Sequence, residues 1–309
     1  MTRSPVVLGL DFGGTKIAVA VGDLSGRRLG ATTIDSMAEA GAEAAMARGL
    51  AAARDLLAEV APEDELAAVG AATLGIPYDD RVELAPTFPG WGEIAFGQLV
   101  RDAFPGVPVR LGTDVKAAAA AELRWGALAG CDPGIYLNLG TGLAAAIVAG
   151  GTVISGAHGA SGEIGYNLRA AADVWIAQPE RTILEDLVSG QALEATGRAR
   201  LGRPVTAAEV FALAQTQPDA AVLTDEFNRE LAMHVVNLSI AVDPVRIVVG
   251  GGLVGSWDRI APGLRQALDA AVPFPPELTV ARFPEAPLVG ALALAVEAAG
   301  VVLGEEAFA

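Results

Sequence analysis

One pattern occurs twice in this chain, and it restricts the possible folds more than any other feature. Residues 6–23 hold an apolar run that ends at Asp11, a turn with paired glycines, and a second apolar run. Residues 135–148 have the same order around Gly140-Thr141-Gly142, and a threonine stands at a matching place in both turns. Each copy is typical of two strands joined by a tight glycine turn. The repetition predicts a duplicated α/β domain with a ligand between the two turns, and two unrelated hairpins are the alternative.

The first turn suits a phosphorylated ligand. Gly13 and Gly14 let the backbone approach a ligand closely, and backbone N–H groups beside Thr15 and Lys16 can bind phosphate oxygens. Asp11 is a candidate ligand for hydrated Mg²⁺, which prefers few carboxylates together with waters and substrate phosphate. The stretch is not a P-loop, because no G-x-x-x-x-G-K-[ST] is present and a strand follows the glycines. An ordinary hairpin with a Gly-Gly turn is the alternative.

Composition limits the class of protein. A length of 309 residues predicts two domains. The net charge of −16 argues against nucleic acid or an anionic membrane surface as a partner. Cys131 is the single cysteine, so neither an internal disulfide nor a cysteine-based zinc cluster is possible. Asp11 interrupts the N-terminal apolar run, so we expect no signal peptide and a cytoplasmic protein. The apolar tail 287–303 carries Glu297 and predicts a buried helix, not a membrane span.

The rest of the chain divides into segments of recognisable periodicity. Thr113 and Asp114 stand where a short strand passes into an alanine-rich helix, so Asp114 is either a functional carboxylate or a helix N-cap. Gly250, Gly251 and Gly252 lie between a strand and a helix, where a nucleotide can bind against the helix N-terminus, although a plain βα turn is the alternative. The pattern predicts helices over 37–60, 182–200, 206–242 and 257–271, and strands over 66–76, 107–111 and 244–249.

Six motifs in a fixed order resemble one known family. They are LGLDFGGTK (8–16), TDVKAAAAAE (113–122), LNLGTGLAAAIV (137–148), GAHGASGEIGY (156–166), RIVVGGGLVG (246–255) and LVGALALA (288–295). Together they are similar to the ROK family of bacterial sugar kinases and repressors, within the actin-like ATPase superfold. The resemblance spans nearly the whole chain.

The resemblance implies a fold and a set of roles. Two ribonuclease-H-like α/β domains would lie around a central cleft, one over residues 1–113 and one over 114–287, with a helix in 288–309 packed back on the first. ATP would be held with Mg²⁺ by residues 8–16, 137–142 and 250–252. Asp114 would be the general base that accepts the proton of the acceptor hydroxyl. Thr113, Glu163 and Tyr166 would contact the sugar or polyol acceptor, and the protein would be a homodimer.

The sequence departs from the family pattern mainly on the acceptor side. Thr113 and Lys116 replace asparagines, and Tyr166 replaces the histidine of Glu-x-Gly-His. The family's cysteine-rich zinc motif is missing between 166 and 185, so we expect no zinc site. These changes predict an ATP-dependent kinase of a modified hexose, an amino sugar or a cyclitol in preference to plain glucose.

Three other functions are compatible with the same motifs. The first is a glucokinase proper, in which neighbouring residues restore the lost contacts. The second is a sugar-sensing repressor, which would need a DNA-binding domain before the first strand, and that strand begins at about residue 6. The third is an actin-like ATPase scaffold, in which Asp114 and Glu163 would have no clear purpose. A kinase is therefore the expected function.

Overall fold

The structure, a computed structural model, describes residues 4–85 and 88–301. Its contacts divide the chain into two units. The first unit contains the residues up to Gly130 and those from Glu285 onward, and the second is Cys131–Pro284. Each unit is a mixed five-stranded sheet with helices, so the predicted class of two α/β domains is confirmed.

The sheet of the first unit combines an antiparallel meander with two parallel strands. Its strand order is β3-β2-β1-β4-β7, with β1 antiparallel to β2 and parallel to β4. Strands β5 and β6 form a separate short hairpin. The strands are β1 Pro5–Phe12, β2 Lys16–Asp23, β3 Arg28–Asp35, β4 Glu65–Thr73, β5 Ile76–Pro77, β6 Val82–Glu83 and β7 Val109–Thr113, and the helices up to Gly130 are α1 Ala42–Val60, α2 Phe96–Ala103 and α3 Asp114–Trp125.

The second unit has a sheet of the same design. Its order is β10-β9-β8-β11-β12, with β8 antiparallel to β9 and parallel to β11. The central hairpin and the parallel strand beside it therefore recur in both units, as the repeated sequence pattern predicts. The elements are β8 Gly134–Leu139, β9 Leu143–Ala149, β10 Thr152–Val153, α4 Gly190–Leu201, α5 Ala207–Leu213, α6 Pro218–Val242, β11 Arg246–Gly250, α7 Trp257–Ala271 and β12 Glu277–Val280.

Helix α8, Ala286–Ala298, belongs to the first unit, where it packs on β1, β4 and α3. An added Cβ at Gly290 would overlap the carbonyl of Ala117, so glycine allows the backbones of α8 and α3 to touch. This contact accounts for a difference from the predicted domain boundary. The family resemblance implies a second domain that begins at residue 114 and so includes α3. In the structure α3 belongs to the first unit, and the N-terminal part of that unit ends at Gly130.

Strand β1 forms part of two cores because its successive side chains point to opposite faces of the sheet. Val6, Leu8 and Leu10 are buried in one cluster with residues of α1. Val7 is buried on the other face with Leu288 and other residues of α8. Burial on both faces accounts for the nearly continuous apolar run that precedes Asp11.

Several predicted helices are interrupted in the structure. The segment 37–60 has a one-turn helix before Gly41 and then α1. The helix predicted over 182–200 begins only at Gly190, because Ser189 accepts a hydrogen bond from Ala192 N–H and caps it. The helix predicted over 206–242 is two helices, and the second begins at Pro218, a residue suited to the first turn of a helix.

Candidate active site

The candidate site residues of the first unit lie at one edge of its sheet. Phe12 of β1 is paired with Thr73 of β4, and Thr73 is paired with Thr113 of β7, so these parallel strands end side by side. Asp11 therefore lies at the same sheet edge as Asp114, the first residue of α3. The pairing of three strands brings together two carboxylates that are about a hundred residues apart in the sequence.

The two carboxylates influence each other. Burial and, to a smaller extent, the negative charge of Asp114 together raise the pKa of Asp11 to about 7. A positive charge at this edge would act in the opposite sense and favour the ionised carboxylate. The site is thus electrostatically suited to a bound cation.

Thr113 and Asp114 form different hydrogen bonds at the start of α3. The Thr113 side chain is buried and its Oγ1 accepts a hydrogen bond from Lys116 N–H at 3.1 Å, so Thr113 is the N-cap of the helix. Asp114 accepts from the N–H of Val115 at 2.8 Å. The N-cap that the sequence analysis weighed for Asp114 is therefore Thr113. This cap fixes the backbone from which the Asp114 carboxylate extends.

The first glycine turn joins β1 to β2 beside these carboxylates. The N–H of Gly13 donates to the Lys16 carbonyl at 3.0 Å and closes the turn. Gly14, Thr15 and Lys16 are exposed. The turn thus presents backbone and a lysine to solvent at the sheet edge that holds Asp11.

The candidate site residues of the second unit begin at its corresponding glycine turn. The N–H of Gly140 donates to the Gly142 carbonyl at 3.1 Å, and Thr141 is exposed at the tip. Residues 250–252 lie against this turn, because an added Cβ at Gly251 would overlap the carbonyl of Leu139 and meet Gly140 N at 2.8 Å. The structure therefore brings residues 140–142 and 250–252 together at one edge of the second sheet.

Three carboxylates of the second unit lie close enough to Tyr166 to act on it electrostatically. Glu163 and Tyr166 lie at the two ends of a one-turn helix. Burial raises the pKa of Tyr166, and the charges of Glu185, Glu163 and Asp186 raise it further. The Tyr166 phenol therefore remains protonated and can donate a hydrogen bond.

Glu185 is a site residue that the sequence analysis missed. Its Oε2 accepts a hydrogen bond from Leu143 N–H at 2.6 Å, directly after the turn 140–142. Burial raises the pKa of Glu185, while the Leu143 bond opposes that shift. Glu185 and Leu143 are 42 residues apart, and no local pattern marks the pairing. The sequence signal that could have drawn attention to Glu185 is its position directly after residues 167–184, where the family's zinc motif is missing.

Two large side chains of the fold, Trp91 and His234, have structural contacts. Trp91 is buried against Phe12, Phe88 and Phe96, and its Nε1–H donates to Thr73 Oγ1 at 2.8 Å. His234 is buried in α6 and lies 3.2 Å from Asn167. We assign neither side chain to the candidate site.

The residues at this edge of the first sheet fit a hydrated magnesium ion better than a metal ion bound by protein side chains alone. Within residues 4–85 and 88–301, no three His, Cys, Asp or Glu side chains are placed so that they could hold one metal ion between them. Mg²⁺ is bound in proteins by one or two carboxylates together with waters and substrate phosphate. Asp11, with its raised pKa and its position beside an exposed glycine turn, meets that description.

The topology and the paired glycine turns define the class of this protein as an actin-like ATPase fold. The ROK family model matches residues 7–298, and the chain belongs to the ROK family.

Individual relatives cover most of the chain. A kanosamine kinase of Amycolatopsis mediterranei is 31% identical over 266 residues, which are 84% of this chain and 85% of that protein. The crystal structure of a ROK hexokinase from Thermus thermophilus superposes with a TM-score of 0.79 at 32% identity, over 94% of this chain and 97% of that one. A ROK glucokinase from Streptomyces griseus, solved with glucose and AMPPNP, gives a TM-score of 0.76 at 28% identity, over 94% and 99%.

No helix within the described residues has both the length and the apolar character that crossing a membrane requires.

Proposed function

We propose that this protein is an ATP-dependent kinase that phosphorylates a hydroxyl group of a hexose-like acceptor. The observation that carries the proposal is the position of Asp114 at the start of α3, at the same sheet edge as Asp11 and beside the exposed turn 13–16. A carboxylate for the proton, a carboxylate for a cation and a turn for phosphate are the parts that phosphoryl transfer needs. Membership of the ROK family, with sugar kinases among the relatives, supports this function.

The nucleotide is assigned to the two glycine turns and to residues 250–252. Exposed backbone at Gly14, Thr15 and Thr141 is available to phosphate oxygens. Lys16 adds a positive charge beside the first turn. Asp11 would hold Mg²⁺, and the ion would neutralise negative charge on the phosphates.

Asp114 is assigned the proton of the acceptor. The acceptor oxygen forms a bond to the γ-phosphorus, the bond between that phosphorus and the leaving oxygen of ADP breaks, and the hydroxyl proton passes to the Asp114 carboxylate. The Thr113 cap holds this carboxylate on the first turn of α3. Such a positioned base contributes about 10²–10⁴ in rate.

The acceptor is assigned to Asp114, with Thr113 beside it, and to the group around Tyr166. Glu163 and Glu185 supply negative charge near the Tyr166 phenol. Carboxylates form charge-assisted hydrogen bonds with an ammonium group, and these bonds are stronger than bonds to a neutral hydroxyl. This charge, and the similarity to a kanosamine kinase, support an amino sugar as the preferred acceptor, with other modified hexoses and cyclitols next and glucose last.

A panel of acceptors tests the proposal. Glucose, amino hexoses, their N-acetyl forms and cyclitols would be assayed for ADP release with ATP and Mg²⁺, and kcat/KM compared. We expect an amino hexose to exceed glucose by a large factor, because a site built to bond a particular polar group rejects analogues that lack it. Glucose at or near the top would contradict the acceptor class. Failure of every acceptor to stimulate ADP release would contradict the kinase itself.

A further inference from the structure

Ser36 lies outside every motif, yet it contacts the first glycine turn twice. It follows β3 directly and its side chain is buried, 1% exposed. Its hydroxyl donates to the Gly14 carbonyl at 2.7 Å, and its backbone N–H donates to the Thr15 carbonyl at 2.9 Å. Two successive carbonyls of the turn therefore point toward one buried residue.

This arrangement fixes the direction of the next two N–H groups. The peptide bonds of the turn are trans, and in a trans peptide the C=O of one residue and the N–H of the next point in opposite directions. With the carbonyls of Gly14 and Thr15 held by Ser36, the N–H groups of Thr15 and Lys16 are directed to the opposite side. In a regular strand successive N–H groups would alternate. Successive N–H groups on one side form a concave site for an anion.

Helix α1 holds Ser36 in turn. Arg48 donates from Nη2 to the Ser36 carbonyl. Arg48 is neighboured in sequence by Gly49, whose lack of a side chain lets α1 pack against the Phe12 ring at the end of β1. The support of the turn thus runs from α1 through Ser36 to Gly14.

Two successive carbonyls of the second turn also accept hydrogen bonds, but from a different part of the fold. The Gly140 carbonyl accepts from Gly190 N–H at 2.8 Å, and the Thr141 carbonyl accepts from Gln191 N–H at 3.3 Å. Two successive carbonyls again point toward one support, which here is the first turn of α4. The same geometry in two units with unrelated supporting residues indicates that the direction of these carbonyls matters to both turns.

We propose that Ser36, held by Arg48, is a positioning residue that presents the Thr15 and Lys16 N–H groups to the nucleotide phosphates. The proposal deepens the proposed function and rests on it. Ser36 touches no reacting group, so its effect must appear in nucleotide binding and not in acceptor binding.

The test is the Ser36→Ala variant, with Ser25→Ala as a matched control. Ser25 is an exposed serine in the β2–β3 turn whose hydroxyl bonds to Asp23. Titration calorimetry with a non-hydrolysable ATP analogue and Mg²⁺ would give the Kd without acceptor, and steady-state assays would give both KM values. Because a lost intramolecular hydrogen bond has a modest net effect, we expect Ser36→Ala to raise the Kd and the KM for ATP about three- to ten-fold. The KM for the acceptor should stay constant, and Ser25→Ala should match the wild type.

Two further variants keep the test decisive if Ser36→Ala does not fold. Ser36→Thr retains a hydroxyl and should recover most of the ATP affinity, while Arg48→Lys shortens the support and should weaken ATP binding in the same direction but less. Equal ATP binding by the wild type and the folded variants, or equal increases in both KM values, would overturn the role of Ser36 and leave the kinase assignment intact. A wild-type protein that does not bind the nucleotide would contradict the proposed function itself.

Discussion

At the scale of single residues, we expect the two carboxylates at the edge of the first sheet to have separate roles. Asp11 is partly buried and its pKa is raised to about 7 by burial and by Asp114. A large fraction of Asp11 is therefore protonated at neutral pH, and a bound cation would favour its ionised form. Asp114 is the first residue of α3, and the Thr113 cap fixes the backbone that carries it. We therefore assign the cation to Asp11 and the proton of the acceptor to Asp114.

The change Asp114→Asn tests the assignment of the base. The amide keeps the size of the side chain but cannot take the proton, so we expect kcat to fall about 10²–10⁴-fold. The Kd of an ATP analogue should change little, because the variant leaves the glycine turns intact. Single-turnover rates with the best acceptor of the panel would measure the effect, and a kcat close to that of the wild type would rule the base out.

The change Glu163→Gln tests whether a negative charge at residue 163 acts on the acceptor. If an amino sugar is bound through its ammonium group, loss of the carboxylate should reduce kcat/KM for that sugar more than for the corresponding neutral sugar. We expect a difference of about ten-fold or more, which corresponds to about 1.4 kcal/mol. Parallel kcat/KM measurements on the matched pair of sugars decide it. Equal losses on both sugars would show that Glu163 does not distinguish charge.

Local sequence is enough to propose candidate site residues whose positions are set by their immediate neighbours. Asp11, Asp114 and the glycines of both turns follow strands directly, and strand ends are readable from apolar runs. Ser36, Glu185 and the start of α4 could not be found in that way. Each acts through a hydrogen bond to a turn that lies 20 to 50 residues away in the chain, and such pairings depend on the completed fold.

At the scale of elements, α6 shows how a buried group makes stability depend on pH. The segment after Tyr166 is attached to α6 by two polar contacts, Asn167 with His234 at 3.2 Å and Arg169 with Glu230 at 3.0 Å. The Asn167 amide donates to His234 Nδ1, which requires a neutral imidazole. Burial lowers the pKa of His234, the charge of Arg169 lowers it further, and Glu230 opposes the shift.

We therefore expect the free energy of unfolding to fall as the pH drops through about 6.5, the ordinary pKa of histidine. Below that pH the unfolded chain binds a proton that the folded protein takes up only at lower pH, so protonation favours unfolding. In His234→Gln, which keeps an acceptor for Asn167 but does not titrate, the decline between pH 7 and 5 should be shallower. Urea titrations across this range would measure it, and identical slopes for both proteins would contradict the role of His234.

The boundaries of elements were predicted well where a run ended in a clear signal. The helix 257–271 and the helix that starts at Asp114 agree with the sequence pattern. The predicted helices over 182–200 and 206–242 were too long, because Ser189 and Pro218 start new helices inside runs whose apolar spacing continues. Apolar periodicity reports a buried face, and that face can be shared by two helices in succession.

At the scale of the whole molecule, two sheets of the same strand order carry one glycine turn each. This duplication is what the repeated sequence pattern predicted.

We expect the protein to need magnesium for turnover and no metal ion for folding. The single cysteine of the chain and the lack of any three-residue ligand cluster within residues 4–85 and 88–301 motivate this expectation.

Dialysis against EDTA tests both parts of that expectation. The thermal midpoint should stay the same, whereas activity should be lost and should return on addition of Mg²⁺. Elemental analysis of the tag-free protein provides the control, and stoichiometric zinc or a large fall in the thermal midpoint after dialysis would contradict a metal-free fold.

The position of α8 has a consequence for the order in which the protein can form during synthesis. Val7, Ala20 and Ala68 share a buried cluster with Leu288, Leu292 and Val296, so one face of the first sheet stays uncovered until the ribosome has made α8. Residues 131–284 are complete before that moment and can fold first, although they come later in the chain than β1. The unit that is begun first is therefore finished last, and its bare sheet face is the surface that a nascent-chain chaperone would have to shield.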